Sequence, residues 1–346
     1  MTAKTIRFFR QEFTAPHWAR RVADAPGLNL MQCWEYAEAK ARTGPWRVER
    51  GLFTDDGAAP AADDGNVIGA AQVLIRMLPL DLGGLAWINR GPLALSGKDG
   101  DRLADMMAAL GDHYARGRGL YLRLAPPVPA EAFDVAAAGL AVTDTPGWAS
   151  AGVDLHQPLD RLRANLNKKW RNGLKKAERS GIEIRNGTGD DLFARFLESH
   201  VRMTEEIGAA AMVAPELLRV LRELRPGGVP METFLAFRDG DLLGGVLMVR
   251  YGGTCEYLAG NVSGAGRPLS AGQLLLWRAV ETMKAQGCRR FDLGGMDEVL
   301  TPPGIFRFKA GLGGTPYRLA PEVEALGGGL VGRLVRWRVA RAVQGR

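Results

Sequence analysis

The chain has 346 residues, a length typical of about two domains. Hydrophobic residues make up 46% and charged residues 24% of the chain, which is the composition of a globular protein and excludes an intrinsically disordered one. The net charge is +7. Such a charge can indicate an anionic partner, but at this size it can equally serve only solubility.

The cysteines and histidines exclude two further classes of protein. The three cysteines are far apart in the sequence, which excludes a disulfide framework, and neither they nor the four histidines have the spacing of a zinc site. We therefore expect no metal, and we separately expect no cofactor. The N-terminal residues lack the apolar segment of a secretory signal, and the longest apolar runs are too short to span a bilayer. We expect a cytoplasmic monomer without a transmembrane segment.

The first half of the chain alternates short strands with helices. The spacing of apolar residues and the Gly, Pro and Asp positions predict a helix at 32–42, a strand before the turn at 55–66, strands at 67–77 and 85–89, a helix at 101–116 and a strand at 120–124.

The second half repeats this order. Residues 67–76 correspond to 242–250, residues 87–92 to 257–262 and residues 121–126 to 291–296, with offsets of 175, 170 and 170 residues, and a helix at 270–286 takes the place of 101–116. A nearly constant offset indicates a duplicated domain. Each copy reads as a hairpin, a helix and a strand, which is the layout of an α+β acyltransferase domain whose sheet splays open.

A basic helix is predicted at 161–180. Leu162, Leu166, Trp170, Leu174 and Ala177 form one apolar stripe, and Gly181 provides a C-cap. Four of the nine lysines of the chain fall in this helix. Between positions 161 and 185 there are nine basic residues and two acidic ones. The one-sided charge favours contacts with a phosphate backbone, with a solvated surface as the alternative. The candidate RNA-binding residues are Lys168, Lys169, Arg171, Lys175 and Lys176.

Three stretches in the second half of the chain carry a resemblance to a known family. KKWRNGLKKAERSGIEI, followed by FDLGGMDE and GIFRFKAGLGG, resembles the FemABX family of transferases, which move an amino acid from aminoacyl-tRNA to a cell-wall precursor peptide. WEYAEAK, NRGP and YLRLAP in the first half are also similar, so the resemblance covers most of the chain.

The resemblance implies the fold and the domain boundaries. We expect two tandem GNAT-like domains with mixed, mostly antiparallel sheets flanked by helices: residues 1–152 with a returning C-terminal helix in 316–346, and residues 153–315. Some family members carry a coiled-coil arm in the second domain. The segment Ala209 to Glu232 is too short for one, so the chain resembles the compact members.

The resemblance also implies a donor, an acceptor and site residues. The donor is aminoacyl-tRNA, and the acceptor is a UDP-linked or lipid-linked muropeptide or another amine. Lys40 matches a lysine used on the acceptor's diphosphate, and Lys309 matches one near the reacting ester, with Phe308 beside it. Trp34, Tyr257 and Asp292 are further candidate substrate contacts. Ala214 and Ala125 stand where compact members have a basic and an acidic residue, which departs from the pattern for a UDP-muropeptide.

The chemistry of aminolysis explains the interest in Lys309. The ester of aminoacyl-tRNA is already activated, so the reaction needs an oriented amine and a positive group for the developing oxyanion. Lys309 could supply that group on a flexible stem, or it could be a structural lysine on a turn. Phe308 could line the site, or the alternation in IFRF could belong to a core strand. Asp292 could orient the amine or cap the turn that follows it.

Two other classes of function stay open. An acyl-CoA-dependent N-acyltransferase would use Arg267 to Gly272 as a degenerate pyrophosphate loop, although a helix start capped by Ser270 and Gln273 explains it as well. A non-catalytic RNA- or membrane-binding module would use the basic, apolar segment 329–346 for peripheral membrane contact. The alternative for that segment is a helix docked on the first domain.

Overall fold

The computed structural model describes residues 6–61, 65–95, 102–132, 138–207, 213–224, 230–327 and 329–344. The chain divides into two compact units, Met1–Trp148 with Arg318–Arg346, and Ala149–Tyr317. The strands are β1 Arg7–Gln11, β2 Arg47–Thr54, β3 Val67–Met77, β4 Gly84–Ile88, β5 Leu93–Ala94, β6 Tyr121–Leu124, β7 Ala141–Val142, β8 Ala149–Asp154, β9 Glu183–Gly187, β10 Met231–Arg238, β11 Asp241–Tyr251, β12 Thr254–Val262, β13 Arg290–Asp292, β14 Thr315–Arg318 and β15 Val323–Ala325. The helices are α1 Ala15–Val22, α2 Trp34–Thr43, α3 Leu103–Leu110, α4 Leu159–Asn165, α5 Lys168–Glu178, α6 Asp190–Ile207, α7 Pro215–Glu223, α8 Ala271–Ala285, α9 Pro303–Ala310 and α10 Gly329–Gln344.

The first unit is built on a mixed sheet in the order β1-β2-β3-β4-β6-β15-β7, with β5 paired to β3. Among the described strands of this unit, only β4 and β6 run parallel, from Leu85 opposite Tyr121 to Ile88 opposite Leu124. The helix α3 continues as a π-helical segment, Gly111–Arg116, and its apolar residues pack with those of β3, β4 and β6 in one core. The strand β15 comes from the C-terminal part of the chain and pairs with β6.

The second unit repeats the pattern in the order β14-β8-β13-β12-β11-β10-β9. Again one pair is parallel, β12 with β13, and the other pairs with a described register are antiparallel. The helix α8 is buried along most of its length against this sheet, and Trp170 and Leu174 of α5 belong to the same core. The predicted α+β class with mixed, mostly antiparallel sheets is therefore confirmed.

The basic region is two helices instead of one. Leu166 and Asn167 have extended ψ angles, and the N–H of Asn167 donates to the oxygen of Gly311 at 3.0 Å, which ends α4. Asn167 then caps α5 by accepting a hydrogen bond of 2.9 Å from Lys169 N. The five stripe residues are still all buried, and Gly181 adopts a φ of +67° after α5. The predicted stripe is confirmed. The predicted cap was wrong, because the C-cap of α5 is Arg179 and Gly181 lies two residues farther along the chain. The single helix was also wrong, because Asn167 is an N-cap residue that starts a second helix.

Two further local predictions were wrong. Ser270 precedes α8 in the left-handed conformation, with φ of 58°, and makes no side-chain capping bond, so there is no capping box with Gln273. The IFRF segment belongs to the helix α9, which excludes the alternative of a core strand. Pro302 and Pro303 explain this second result because proline favours the first turn of a helix.

The segment between β9 and β10 holds α6 and α7, and none of its described residues forms a coiled-coil arm. Of the segment Ala209 to Glu232, residues 209–212 and 225–229 lie outside the described residues. No helix in the described part of the chain is long and apolar enough to cross a membrane.

Candidate functional site

The site of interest lies where β12 and β13 separate. The two strands pair in parallel only from Thr254 opposite Arg290 to Glu256 opposite Asp292. Beyond that point Leu293 and Met296 donate backbone hydrogen bonds to β8, at 3.0 and 2.8 Å, while β12 stays paired with β11. The sheet therefore splays open after Glu256 and Asp292, as the sequence predicted for an acyltransferase-type domain.

Lys309 occupies this opening. It lies in the last turn of α9 and is only 3% exposed, although it carries a charge. Its Nζ donates a hydrogen bond of 2.8 Å to the backbone oxygen of Gly295, and it lies 4.9 Å from the ring centroid of Tyr257. Lys309 is thus neither a turn residue nor a side chain on a freely mobile stem, because both contacts hold its ammonium at the splay.

Burial lowers the pKa of Lys309 to about 8, against the attraction of Glu256 and Asp292, which favours the charged form. The ammonium is therefore still mostly protonated at neutral pH. It has three N–H donors, and the described residues supply one hydrogen-bond acceptor, the oxygen of Gly295. A buried cation with unused donors can stabilise a negative oxygen that is brought into the splay.

Asp292 is held in place by partners from three strands. Oδ1 accepts hydrogen bonds from Ser150 Oγ at 2.7 Å and from the N–H of Gly294 at 3.0 Å. Oδ2 accepts from the hydroxyl of Tyr317 at 2.7 Å and from Arg290 at 3.3 Å. The bond to Gly294 caps the turn after β13, so Asp292 plays the capping role considered from the sequence and also fixes the edge of the splay.

One tyrosine lies against the lysine, and a second binds the buried acid Glu256. Burial raises the pKa of Tyr257 to about 12, so its phenol stays protonated at neutral pH. Its ring leaves no room for a side chain at Gly260, where a Cβ atom would lie 2.3 Å from the phenol oxygen. Tyr251 donates a hydrogen bond to the carboxylate of Glu256, which is buried below the splay.

The helix that carries Lys309 is joined to the basic helix α5. Trp170 Nε1 donates a hydrogen bond of 3.0 Å to the backbone oxygen of Phe308, and Asn167 binds the oxygen of Gly311. Gly311 must lack a side chain, because a Cβ atom there would lie 2.5 Å from Trp170 Cδ1. The Phe308 ring lies 6.2 Å from the ring of Trp170 and also contacts the first turn of α8 at Gly272.

The opposite face of α5 is exposed and positive. Lys168, Lys169, Lys175 and Lys176 are exposed, and in the described part of the chain no carboxylate pairs with any of them. Arg171 is half-buried and contacts the backbone oxygen of Ala164 at 3.4 Å. The four lysines are therefore available to an anionic partner.

The start of α8 is poorly suited to the pyrophosphate of an acyl-CoA. Three of its backbone N–H groups are already bonded inside the protein: Ser270 to Arg267, Ala271 to Gly266, and Gln273 to Ser270, each at 3.1 Å. A pyrophosphate loop needs such donors to point at the ligand.

Lys40 and Trp34 belong to the first unit, on α2. Lys40 is half-buried in the last turn of this helix. Trp34 lies under the guanidinium of Arg50, which is 3.4 Å from the ring centroid and which also binds Glu38 at 2.9 Å. Burial lowers the pKa of Arg50 to about 10. The other candidate substrate contacts, Tyr257, Asp292 and Phe308, all gather around Lys309 in the second unit.

Sequence reasoning missed Ser150, Tyr317 and Glu256. Glu256 could have been suspected, because it is an acid inside the apolar strand β12. Ser150 and Tyr317 carry no local signal, since each reaches Asp292 across a long sequence separation. Within the described residues, no group of three His, Cys, Asp or Glu side chains could hold a metal ion.

Comparison with known proteins agrees with this geometry. Residues 161–310, less than half of the chain, match the family model described as Acetyltransferase (GNAT) domain. No curated protein matches the sequence at a significant level. Because the matched segment includes α5, α8 and α9, it covers the basic helix and Lys309.

Several solved structures resemble most of the chain, and FemX is among them. FemX has a TM-score of 0.77 and 16% identity and covers 95% of this chain and 99% of its own. A tandem GNAT protein from the clavulanic acid biosynthesis pathway has a TM-score of 0.51 and 17% identity, over 94% and 99%. The C-terminal domain of a putative lysylphosphatidylglycerol synthetase from Agrobacterium fabrum has a TM-score of 0.53 and 13% identity, over 94% and 96%.

The family model and these folds together support an acyltransferase. At such low identity the solved structures establish the fold alone. The resemblance of the chain to the FemABX family is thereby confirmed at the level of its fold, a tandem pair of GNAT-like domains.

Proposed function

We propose that the protein transfers an amino acid from aminoacyl-tRNA to an amine acceptor, and that the acceptor is a peptidoglycan precursor peptide on a UDP or lipid carrier. The observation that carries the proposal is the hydrogen bond from Trp170 to the oxygen of Phe308. This bond joins α5, which carries four exposed lysines without a carboxylate partner among the described residues, to α9, which carries the buried Lys309. A phosphate-binding face thus adjoins the candidate reaction centre.

The proposed reaction is the aminolysis of an ester. The nitrogen of the acceptor attacks the ester carbon, a carbon–nitrogen bond forms, and the ester bond to the terminal ribose breaks. The ribose oxygen leaves and takes up the proton that the amine loses. Between these events the former carbonyl oxygen carries a negative charge, and the ammonium of Lys309 stabilises it. The energy is already present in the ester, so no covalent enzyme intermediate is needed.

The choice of donor rests on charge. Lys168, Lys169, Lys175 and Lys176 present four positive charges within nine residues. A polyanion that binds such a surface gains affinity because its condensed counterions are released into solution. The engaged N–H groups at the start of α8 argue against acyl-CoA as the donor. The choice of acceptor rests on the match of Lys40 to a lysine of the family. Ala214 and Ala125, which differ from the compact members of the family, argue against a UDP-muropeptide.

The test is a transfer assay with separate donors. The protein is incubated with total charged tRNA and a bacterial extract, and mass spectrometry identifies the small molecule that gains an aminoacyl mass. We expect a product that ribonuclease treatment abolishes and that Lys309→Met forms far more slowly. A product that requires acetyl-CoA and survives ribonuclease would establish acyl-CoA as the donor. The absence of any product with either donor, together with salt-sensitive RNA binding, would leave a non-catalytic module.

A further inference from the structure

The helix α10 is apolar on two opposite faces. Val335 and Val339 face the first unit, where Val335 is buried with Leu85 of β4 and Tyr121 of β6. An α-helix has 3.6 residues per turn, so Leu330, Leu334 and Trp337 form a second stripe on the opposite side. These three side chains are 82%, 51% and 51% exposed. Val335 and Val339 account for the attachment of the helix to the first unit. The exposed stripe of Leu330, Leu334 and Trp337 is not needed for this packing.

A turn beside the start of α10 exposes two further leucines. A Cβ atom at Gly83 would lie 2.7 Å from Val331 Cγ1, so the turn before β4 touches the beginning of α10. In this turn Leu80 is 89% and Leu82 65% exposed. Leu80 also has a φ of 61°, a backbone conformation that leucine rarely adopts. We define the outer face as Leu80, Leu82, Leu330, Val331, Leu334 and Trp337.

Positive charge surrounds the outer face. On the helical wheel Arg333 and Arg336 lie on one flank of the stripe, Arg338 lies on the other, and Arg341 continues it. The segment from Gly329 to Gln344 contains no acidic residue. Arg336 pairs with the buried Glu324 at 2.6 Å, and the acid of the turn, Asp81, lies 3.9 Å from Arg47. Arg333, Arg338 and Arg341 form no salt bridge with the described residues.

We propose that the outer face binds the surface of an anionic lipid bilayer. Exposed leucines and a tryptophan between arginines are the chemistry of a helix that lies in the headgroup region, with its apolar stripe in the acyl boundary and its cations on the phosphates. The charge complementarity favours this occupant over a second copy of the chain, because two copies would bring their arginines together. The proposal is independent of the reaction, since binding is measured without substrates.

Vesicle co-sedimentation tests the proposal. The full chain is mixed with vesicles of phosphatidylcholine alone or of phosphatidylcholine with phosphatidylglycerol. We expect binding to the mixed vesicles, weaker binding to the neutral ones, and a loss of binding as salt rises. Replacing Arg333, Arg338 and Arg341 with Gln should lower the partition coefficient roughly fivefold for each arginine. Arg336 is left in place because it holds Glu324.

The apolar stripe is tested by Leu330→Gln, Leu334→Gln and Trp337→Gln together. We expect this variant to lose at least about tenfold in partition coefficient, because three apolar side chains no longer leave water. Its melting temperature should be unchanged, since the side chains are exposed. A matched control is Val299→Gln with Leu300→Gln, which removes two exposed apolar side chains, 88% and 73% exposed, from the other unit and should bind as wild type does.

A spectroscopic measurement does not depend on the stability of the glutamine variant. With bromine-labelled lipids, we expect quenching of the wild-type tryptophan fluorescence and much less quenching of Trp337→Phe, which keeps an aromatic ring. Equal binding of the wild type and the triple glutamine variant, or no binding to anionic vesicles, would overturn the proposal. So would self-association without lipid that the glutamine variant abolishes, since the outer face would then be an interface between copies.

Discussion

The ammonium of Lys309 donates a hydrogen bond of 2.8 Å to the oxygen of Gly295, beyond the point where β12 and β13 part. Gly294, which precedes Gly295, has a φ of 66°. A Cβ atom at Gly294 would lie 2.5 Å from the backbone oxygen of Tyr257. The chain can follow this path only with glycine, because a side chain would collide with β12. The DLGG sequence therefore shapes the backbone that receives the lysine.

Lys309→Met should lower kcat by roughly 10²–10³, the scale for losing one oxyanion donor, while KM for charged tRNA changes little. The ratio of the wild-type kcat to that of the variant should fall as pH rises through about 8, because the lysine then loses its charge. A ratio that rises with pH would mean that Lys309 acts as a base. Lys309→Arg should rescue only part of the rate.

A matched control for this variant is Lys284→Met. Lys284 also donates to a backbone oxygen, that of Leu155 at 2.6 Å, but it belongs to α8 and not to the splay. Its kcat should stay close to the wild-type value. Equal losses in both variants would indicate a general effect of removing a lysine from this unit.

The buried charge of Lys309 should also appear in the pH dependence of stability. The pKa falls from 10.5 in the unfolded chain to about 8 in the fold, so between these values the unfolded state binds more protons. The free energy of unfolding therefore rises with pH between about 8 and 10.5. Below about pH 8 the cost of burying the charged lysine is fully present. The methionine variant carries no buried charge, so it does not bear this cost. The difference in free energy of unfolding between Lys309→Met and wild type should therefore shrink by up to about 3 kcal/mol as the pH rises from about 8 to 10.5. Chemical denaturation at several pH values measures it, and a constant difference would contradict the lowered pKa.

The four exposed lysines of α5 should determine the salt dependence of tRNA binding. Changing Lys168, Lys169, Lys175 and Lys176 to Ala should reduce the slope of log K against log salt by up to about 3–4 units, because up to four phosphate contacts disappear. A filter-binding or fluorescence titration at several salt concentrations gives the slope. The matched control removes four exposed arginines of the same unit, Arg195, Arg202, Arg219 and Arg238, and should keep it. Equal slopes in wild type and lysine variant would make α5 a solvated surface.

Lys40→Ala should affect the acceptor and not the donor. If Lys40 binds an anionic part of the acceptor, its loss raises the acceptor KM with little change in kcat or in tRNA affinity, because it removes binding and not chemistry. Steady-state kinetics with each substrate varied in turn measures this. Unchanged constants for both substrates would assign Lys40 to the surface of α2 alone.

Asp292→Asn should destabilise the second unit. The carboxylate is 4% exposed and accepts hydrogen bonds from Ser150, Gly294 and Tyr317, and an amide would turn a donor toward one of them. We expect a loss of about 2–3 kcal/mol in free energy of unfolding. Tyr317→Phe, which removes one of these bonds, should cost less. A fully stable Asp292→Asn would show that the turn after β13 does not depend on this carboxylate.

Local patterns in the sequence predicted several of the helices and strands and their repetition. The apolar periodicity was enough to predict the strand Val67–Met77 and the buried stripe from Leu162 to Ala177. The repeat of a strand or a helix decides which residues share a face, and this repeat can be read from residues a few positions apart. Asn167 and Pro303 also carried readable signals for the helix starts that the predictions misplaced. The recognised motifs led to Lys309, since they are contiguous stretches of sequence.

Contacts between distant residues could be read only from the folded chain. Ser150 and Tyr317 meet Asp292 because β8 and β14 come to one edge of the same sheet, and periodicity contains no information about such pairing. The burial of the Lys309 ammonium, and with it the lowered pKa, likewise depends on where β12 and β13 part. In α10 the sequence shows apolar residues around the helix, but only packing against β4 and β6 selects Val335 for the core and leaves Leu330, Leu334 and Trp337 outside.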